Sequence, residues 1–293
     1  MNVRELAFAD IDEAVAFANQ HFCHPLFMDS ELTELTVRAS LARRMGRFVA
    51  AENGGGLLAM VHCARKAPGP PFHNRYLFDI IAADRAQASR QALVAALSVA
   101  MDSAVAEANC SETLFHAVCD AGDTILEDAL QEAGFADPET FEMGMVLLKN
   151  ARALPAPEGV SARPAKPEDA ARISEMSIAL MNPLDWLPEN WVAAMVKTGA
   201  VILVAEAEGR IVGAAGGKML GPGKATGLMN MIDTDYQSKG VGSFLFSRFS
   251  LELTARGGGR VPGMVESEAQ RRFYQRLGWE HIKEIRAWRK TVS

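Results

Sequence analysis

The chain runs twice through the same order of elements, and that repeat constrains the fold more than any single motif. Residues 8–14 introduce a helix, and residues 165–170 introduce another. Residues 48–52, a turn at 53–56 and residues 57–61 read as a β-hairpin. Residues 202–206, a turn at 207–210 and residues 211–215 read as its second copy. In each half a strand then leads into a long helix: 76–83 before 90–108, and 227–234 before 241–256. A further strand, 114–118 or 261–266, precedes a short helix that stops at Gly134 or Gly278. Strand-like segments, 141–148 and 282–292, close the two halves. Residues 150–160 carry Pro155, Pro157 and Gly159 among small residues and read as a linker. A period of about 150 residues means two whole domains, not a stack of short units. The expected division is 1–149, a linker at 150–160, and 161–293.

The most informative local stretch adjoins the end of the 227–234 strand: Asp235-Tyr236-Gln237-Ser238-Lys239-Gly240-Val241-Gly242-Ser243. A strand, a tight glycine-containing loop and a helix start point a row of backbone N–H groups at one place, where the helix dipole also favours an anion. Gly240 and Gly242 permit φ > 0 and close backbone approach. A dinucleotide fingerprint fails, because Leu245 stands where its third glycine should be. A P-loop fails as well, since Gly217-Lys218 has Val212 for its first glycine and Met219 for its hydroxyl residue. The pattern that fits is Q/R-x-x-G-x-G/A, as Gln237-x-x-Gly240-x-Gly242.

In this context the segment resembles the acyl-CoA pyrophosphate loop of the GNAT acetyltransferase superfamily. The order β-α-α-β-β-β-α-β-α-β-β, run twice, also resembles that fold, more weakly in the first half. The resemblance implies an α/β (α+β) fold of two tandem GNAT-like domains, each a mixed, mostly antiparallel central sheet flanked by helices. It implies acetyl-CoA as co-substrate and a small-molecule amine as acceptor. The loop residues Gln237, Ser238, Lys239, Gly240, Val241, Gly242 and Ser243 would hold the CoA phosphates. The 228–232 strand would splay from its neighbour and pair with the pantetheine arm, with the Ile232 backbone N–H beside the thioester carbonyl.

The segment from Ser267 to Trp279 resembles the family's N-x-x-A-x-x-x-Y-x-x-x-G-F motif, with Ser267 and Gln270 in place of Asn and Ala. Tyr274 matches the tyrosine near the CoA sulfur, and Ser267 a cofactor contact. A phenol of pKa about 10 can protonate a leaving thiolate, whose thiol has a pKa of roughly 8.5, if the site assists. A general base for the amine is sought at Glu266, with Asp233 and Glu206 as further candidates. Trp186, Asp185 and Trp191 lie in the helix–loop–helix that covers the acceptor cleft in this fold, and would bind an apolar amine with a cationic end. The alternative function is a CoA-binding or sensing protein without catalysis.

The first half resembles a degenerate copy. With Asp84 aligned to Asp235, residues Ala86, Ser89 and Gln91 stand at Gln237, Gly240 and Gly242, and counting from the helix-ending glycines puts Leu130 at Tyr274. No CoA site is expected in residues 1–149, as in tandem members of the superfamily in which one repeat carries the activity. A net charge of −6 argues against a nucleic-acid partner. Cys23, Cys63, Cys110 and Cys119 show no paired or metal spacing, and the six histidines show none either. With no apolar run long enough for a membrane and no signal-peptide pattern, a cytoplasmic location is expected, with oligomeric state left open.

Overall fold

The computed structural model describes the chain except residues 22–33, 35–36, 39, 42–45, 67–73, 86–89, 109–111, 182–185, 266 and 293. The first half runs β1 (Asn2–Glu5), α1 (Ile11–His21), β2 (Arg47–Asn53), β3 (Gly56–Lys66), β4 (Asn74–Ala83), α2 (Arg90–Glu107), β5 (Thr113–Asp120), α3 (Thr124–Glu132) and β6 (Ala136–Leu147). The second runs β7 (Val160–Pro164), α4 (Ala170–Leu180), α5 (Glu189–Lys197), β8 (Val201–Ala207), β9 (Arg210–Gly221), β10 (Gly223–Ile232), α6 (Val241–Ala255), β11 (Gly258–Val265), α7 (Glu268–Arg276) and β12 (Trp279–Val292).

Two compact units result, but they are not contiguous stretches either side of residues 150–160. One comprises Met1–Phe141 with Lys283–Ser293, the other Glu142–Ile282. The closing strands are exchanged. In the second unit β6 pairs antiparallel with β11, from Arg260↔Leu147 to Val265↔Glu142. In the first unit β12 pairs antiparallel with β5, from Ile285↔Asp120 to Val292↔Thr113. The strand orders are β1-β2-β3-β4-β5-β12 and β6-β11-β10-β9-β8-β7. Side chains explain the choice of partner. Trp288 is buried in the first core, and Arg286 reaches Glu127 at 2.6 Å. Gly144 of β6 lies against the buried Trp279 ring, where an added Cβ would stand 2.1 Å from Cε2.

Each sheet carries helices on both faces. In the first unit α2 and α3 cover one core and α1 the other. In the second, α6 buries Val241, Leu245, Phe246, Phe249 and Leu253 on one face, while α4 and α5 pack with Met229 and Met231 on the other. Leu245, Phe249 and Leu253, spaced at i, i+4 and i+8, form a fully buried stripe. Helix α6 sits close to the sheet because β9 presents glycine beneath it. A Cβ on Gly217 would stand 2.1 Å from Thr226 O and 2.8 Å from Phe249 Cζ. Among the described residues, no helix is long and apolar enough to cross a membrane.

The repeat extends to side-chain bonding. Arg4 of β1 binds Asp10 at 2.8 Å and Glu52 at 3.2 Å; Arg163 of β7 binds Asp169 at 2.6 Å and Glu206 at 2.7 Å. Asp10 accepts the Ala7 N–H, and Asp169 the Lys166 N–H, both at 2.7 Å. The arginine bonds hold both aspartates below the usual carboxylate range. Burial pushes the thiols of Cys63 and Cys119 up, the latter to about 12, so neither ionises at neutral pH.

Candidate functional site

Strand β10 has one closed edge and one open one. It pairs with β9 from Lys224↔Gly221 to Ile232↔Gly213, with a register shift between Gly227 and Met229. Toward β11 it pairs, among the described residues, only at Gly223↔Gly258 and Lys224↔Arg260. Beyond Lys224 no further ladder joins the two strands among the described residues. Pro262 supplies a cause. Its carbonyl oxygen lies 3.6 Å from where a Cβ on Gly227 would stand, so it faces β10. In a strand a residue's N and O face the same way, so the Pro262 nitrogen also faces β10 and has no hydrogen to donate. The sequence reading missed this residue, although a proline inside a strand pattern is the visible signal.

Hydrogen bonding fixes which groups line the open edge. Asp233 N donates to Val212 O at 2.9 Å, which turns that amide toward β9. By alternation the N–H and C=O of Ile232 face the open edge. The Ile232 carbonyl is taken by the Gln237 side-chain amide at 3.0 Å, which ties the loop back to the strand end. Gln237 therefore holds the loop's shape.

The loop continues through a 3-10 turn, Thr234–Tyr236, and two left-handed residues, Ser238 at φ 60° and Gly240 at φ 82°. A side chain at such a φ costs of order 1 kcal/mol, a strain typical of functional turns. Gly240 caps α6 with no side-chain bond to the first turn. Phe244 N reaches Gly240 O at 3.0 Å, so the amides of Val241, Gly242 and Ser243 precede the first helical bond. Gly242 faces Ile232: an added Cβ would stand 3.3 Å from Ile232 Cγ1 and 3.6 Å from Phe273 Cε2. Lys239 is exposed, its ammonium 5.3 Å from the Tyr236 ring centre.

Helix α7 brings Tyr274 to the same corner. Its half-buried ring lies edge-on to Phe246 at 5.8 Å and to Phe273 at 5.0 Å. Ser267 caps α7, its Oγ accepting from Gln270 N at 3.2 Å, which leaves the hydroxyl proton to point elsewhere. Ile232, Gln237 and Gly242 thus meet at the end of β10, and Phe273, the neighbour of Tyr274 on α7, approaches Gly242.

The remaining expected residues fall differently. Glu266 and Asp185 lie outside the described residues. Asp233 is ion-paired with Arg172. Glu206 is held by Arg163, and the same arrangement recurs at Glu52 in the first unit, so both glutamates read as structural. Trp186 is half-buried and donates from Nε1 to Met181 O at 3.2 Å. Trp191 is exposed in the first turn of α5.

The first unit differs at each of these points. Asp84 N donates to Leu58 O at 2.9 Å, as Asp233 N does to Val212 O, so hydrogen bonding matches Asp84 with Asp233, two positions from Asp235. Ala86 and Ser89 lie outside the described residues, and Gln91 is an exposed residue of α2. Strand β4 pairs with β5 over five positions, Asn74↔Thr113 to Phe78↔Ala117. The register equivalent of Pro262 is His116, which pairs with Leu77. Leu130, at the position of Tyr274, is fully buried.

A strand with an open edge, ending in a glycine-turned helix N-terminus, can offer backbone groups along one edge and first-turn amides to an anion at its end. Residues 198–281 match the family model described as Acetyltransferase (GNAT) domain. No curated protein sequence matches the chain. Among solved structures it is similar to a tandem GNAT protein from the clavulanic acid biosynthesis pathway, with 15% identity and a TM-score of 0.70, covering 100% of this chain and 98% of that one. It is also similar to a GCN5-related N-acetyltransferase from Sphaerobacter thermophilus, with 16% identity and a TM-score of 0.69, covering 99% and 95%. A third likeness is to a GCN5-related glucosamine N-acetyltransferase region in a fungal multi-domain GH3 β-N-acetylglucosaminidase, with 13% identity and a TM-score of 0.72, covering 99% of this chain and 38% of that one. Residues 198–281 thus carry a GNAT domain match, within a chain that shares its fold along its length with a tandem GNAT protein.

Proposed function

We propose that the second unit is an acyl-CoA-dependent N-acyltransferase, using acetyl-CoA and a small amine, and that it carries the chain's only acyl-CoA site. The observation that carries this reading is the open edge of β10 running into the glycine-turned start of α6. The features present fit an acyl-CoA: unbonded first-turn amides for a diphosphate, a strand edge for an amide-bearing arm, and a glycine whose Cβ would crowd Ile232. Bound there, the ligand supplies a thioester open to attack by an amine.

The chain's own groups then have defined tasks. Val241, Gly242 and Ser243 offer amides to the phosphates, and Lys239 a nearby cation. The Ile232 N–H faces the edge where negative charge would build on the acyl oxygen, and a fixed donor there favours attack. Tyr274 holds a proton that can pass to the departing sulfur. Helices α4 and α5, with Trp186 shortly before α5 and Trp191 on it, cover the other face of β10 and would receive the amine.

Release of free thiol from acetyl-CoA across a panel of small amines tests the activity. No release above buffer with any amine would leave CoA binding without catalysis. For the acid role, Tyr274→Phe should lower kcat by about 100-fold with little change in CoA affinity. A kcat equal to wild type would remove Tyr274 from the mechanism.

A further inference from the structure

Strand β10 holds a polar side chain where the fold calls for an apolar one. Met229 and Met231 pack in the core beneath α4 and α5, and Ile232 lies against Gly242 of α6. Alternation places Asn230 on the α6 face with Ile232, two residues back along the strand. The Asn230 Oδ1 is shut off from solvent and has no hydrogen-bond partner. A carbonyl left this way costs stability, and such groups in native folds call for a specific explanation. The first unit shows what the position holds without that demand. Counting back from the matched Asp84 and Asp233 amides, the equivalent of Asn230 is Ile81, buried in the core under α2 and α3.

The surroundings indicate what kind of donor is missing. Asn230 lies on the part of β10 where, among the described residues, β11 offers no ladder. A chain leaving the 237–243 loop and running along this edge passes Ile232 and then Asn230. It must carry N–H or O–H groups along its length, because a lone carbonyl oxygen is answered only by a donor.

We propose that Asn230 is a ligand-positioning residue whose side chain turns toward the open edge on binding, so that Oδ1 accepts a hydrogen bond from an amide N–H or hydroxyl of the extended pantetheine arm of an acyl-CoA. The assignment rests on the acyl-CoA reading of the second unit. It accounts for an asparagine retained at a cost to the unliganded fold, since the ligand would satisfy the carbonyl on binding.

Asn230→Leu separates this assignment from the reading beneath it. Calorimetry is run on the full chain with CoA and with adenosine 3′,5′-bisphosphate, which keeps phosphates but has no pantetheine arm. The variant should bind CoA about tenfold more weakly, a loss of about 1.4 kcal/mol, and the bisphosphate as wild type does. The unliganded variant should melt no lower than wild type, because an unmet polar group has been replaced by an apolar one. An unchanged ratio of CoA to bisphosphate affinity would overturn the assignment, as would equal weakening of both ligands. A wild-type chain that binds neither ligand overturns the acyl-CoA reading itself, and the assignment with it. Asn230→Ala serves the same comparison if the leucine variant does not fold.

Discussion

Gly240→Asp should bind CoA roughly 100-fold more weakly than wild type, a loss of about 2.7 kcal/mol, with an unchanged circular dichroism spectrum. The fold should survive because there is room. A Cβ at Gly240 would have Pro157 Cγ, at 3.8 Å, as its nearest neighbour. The left-handed φ of 82° costs a side chain about 1–2 kcal/mol, and aspartate tolerates that region better than most residues. Binding should fail because the new carboxylate sits at the start of α6, competes for the first-turn amides and repels a diphosphate. Calorimetry with CoA reads the effect. Wild-type affinity in a folded variant would remove the loop from the site.

Gly144→Ala should lower the melting temperature by about 6–12 °C, reflecting a loss of roughly 3 kcal/mol. An alanine Cβ would stand 2.1 Å from Trp279 Cε2, 2.3 Å from Trp279 Nε1 and 2.3 Å from Glu280 O. The indole is buried and donates to Gly263 O at 3.3 Å, so it has little freedom to yield. Gly263→Ala is the control on the opposite strand, because its Cβ would meet Trp279 Cδ1 at an ordinary 3.4 Å. Calorimetric melting of both variants tests the exchanged-strand packing. Equal melting temperatures for Gly144→Ala and wild type would show that β6 does not seat against Trp279 as described.

The loop and the repeat were legible in the sequence because both are local. Gly240 and Gly242 announce a turn by their own conformational freedom, and the hairpins announce themselves by adjacent strands. The destination of the closing strands was not legible. Residues 141–148 and 282–292 read as strands, but their partners are set by distant side chains such as Trp279 opposite Gly144 and Arg286 opposite Glu127. Alignment by residue type put Asp84 with Asp235, whereas hydrogen-bond register puts it with Asp233. Glu206 looked free to act as a base because its partner Arg163 lies on another strand. Asn230 and Pro262 were visible as residue types, but burial and strand direction gave them meaning.

Binding stoichiometry tests the central claim most directly. Equilibrium dialysis of the full chain against labelled acetyl-CoA should give one equivalent bound per chain, lost in Gly240→Asp. Two equivalents, or one that persists in that variant, would contradict a single site at the start of α6.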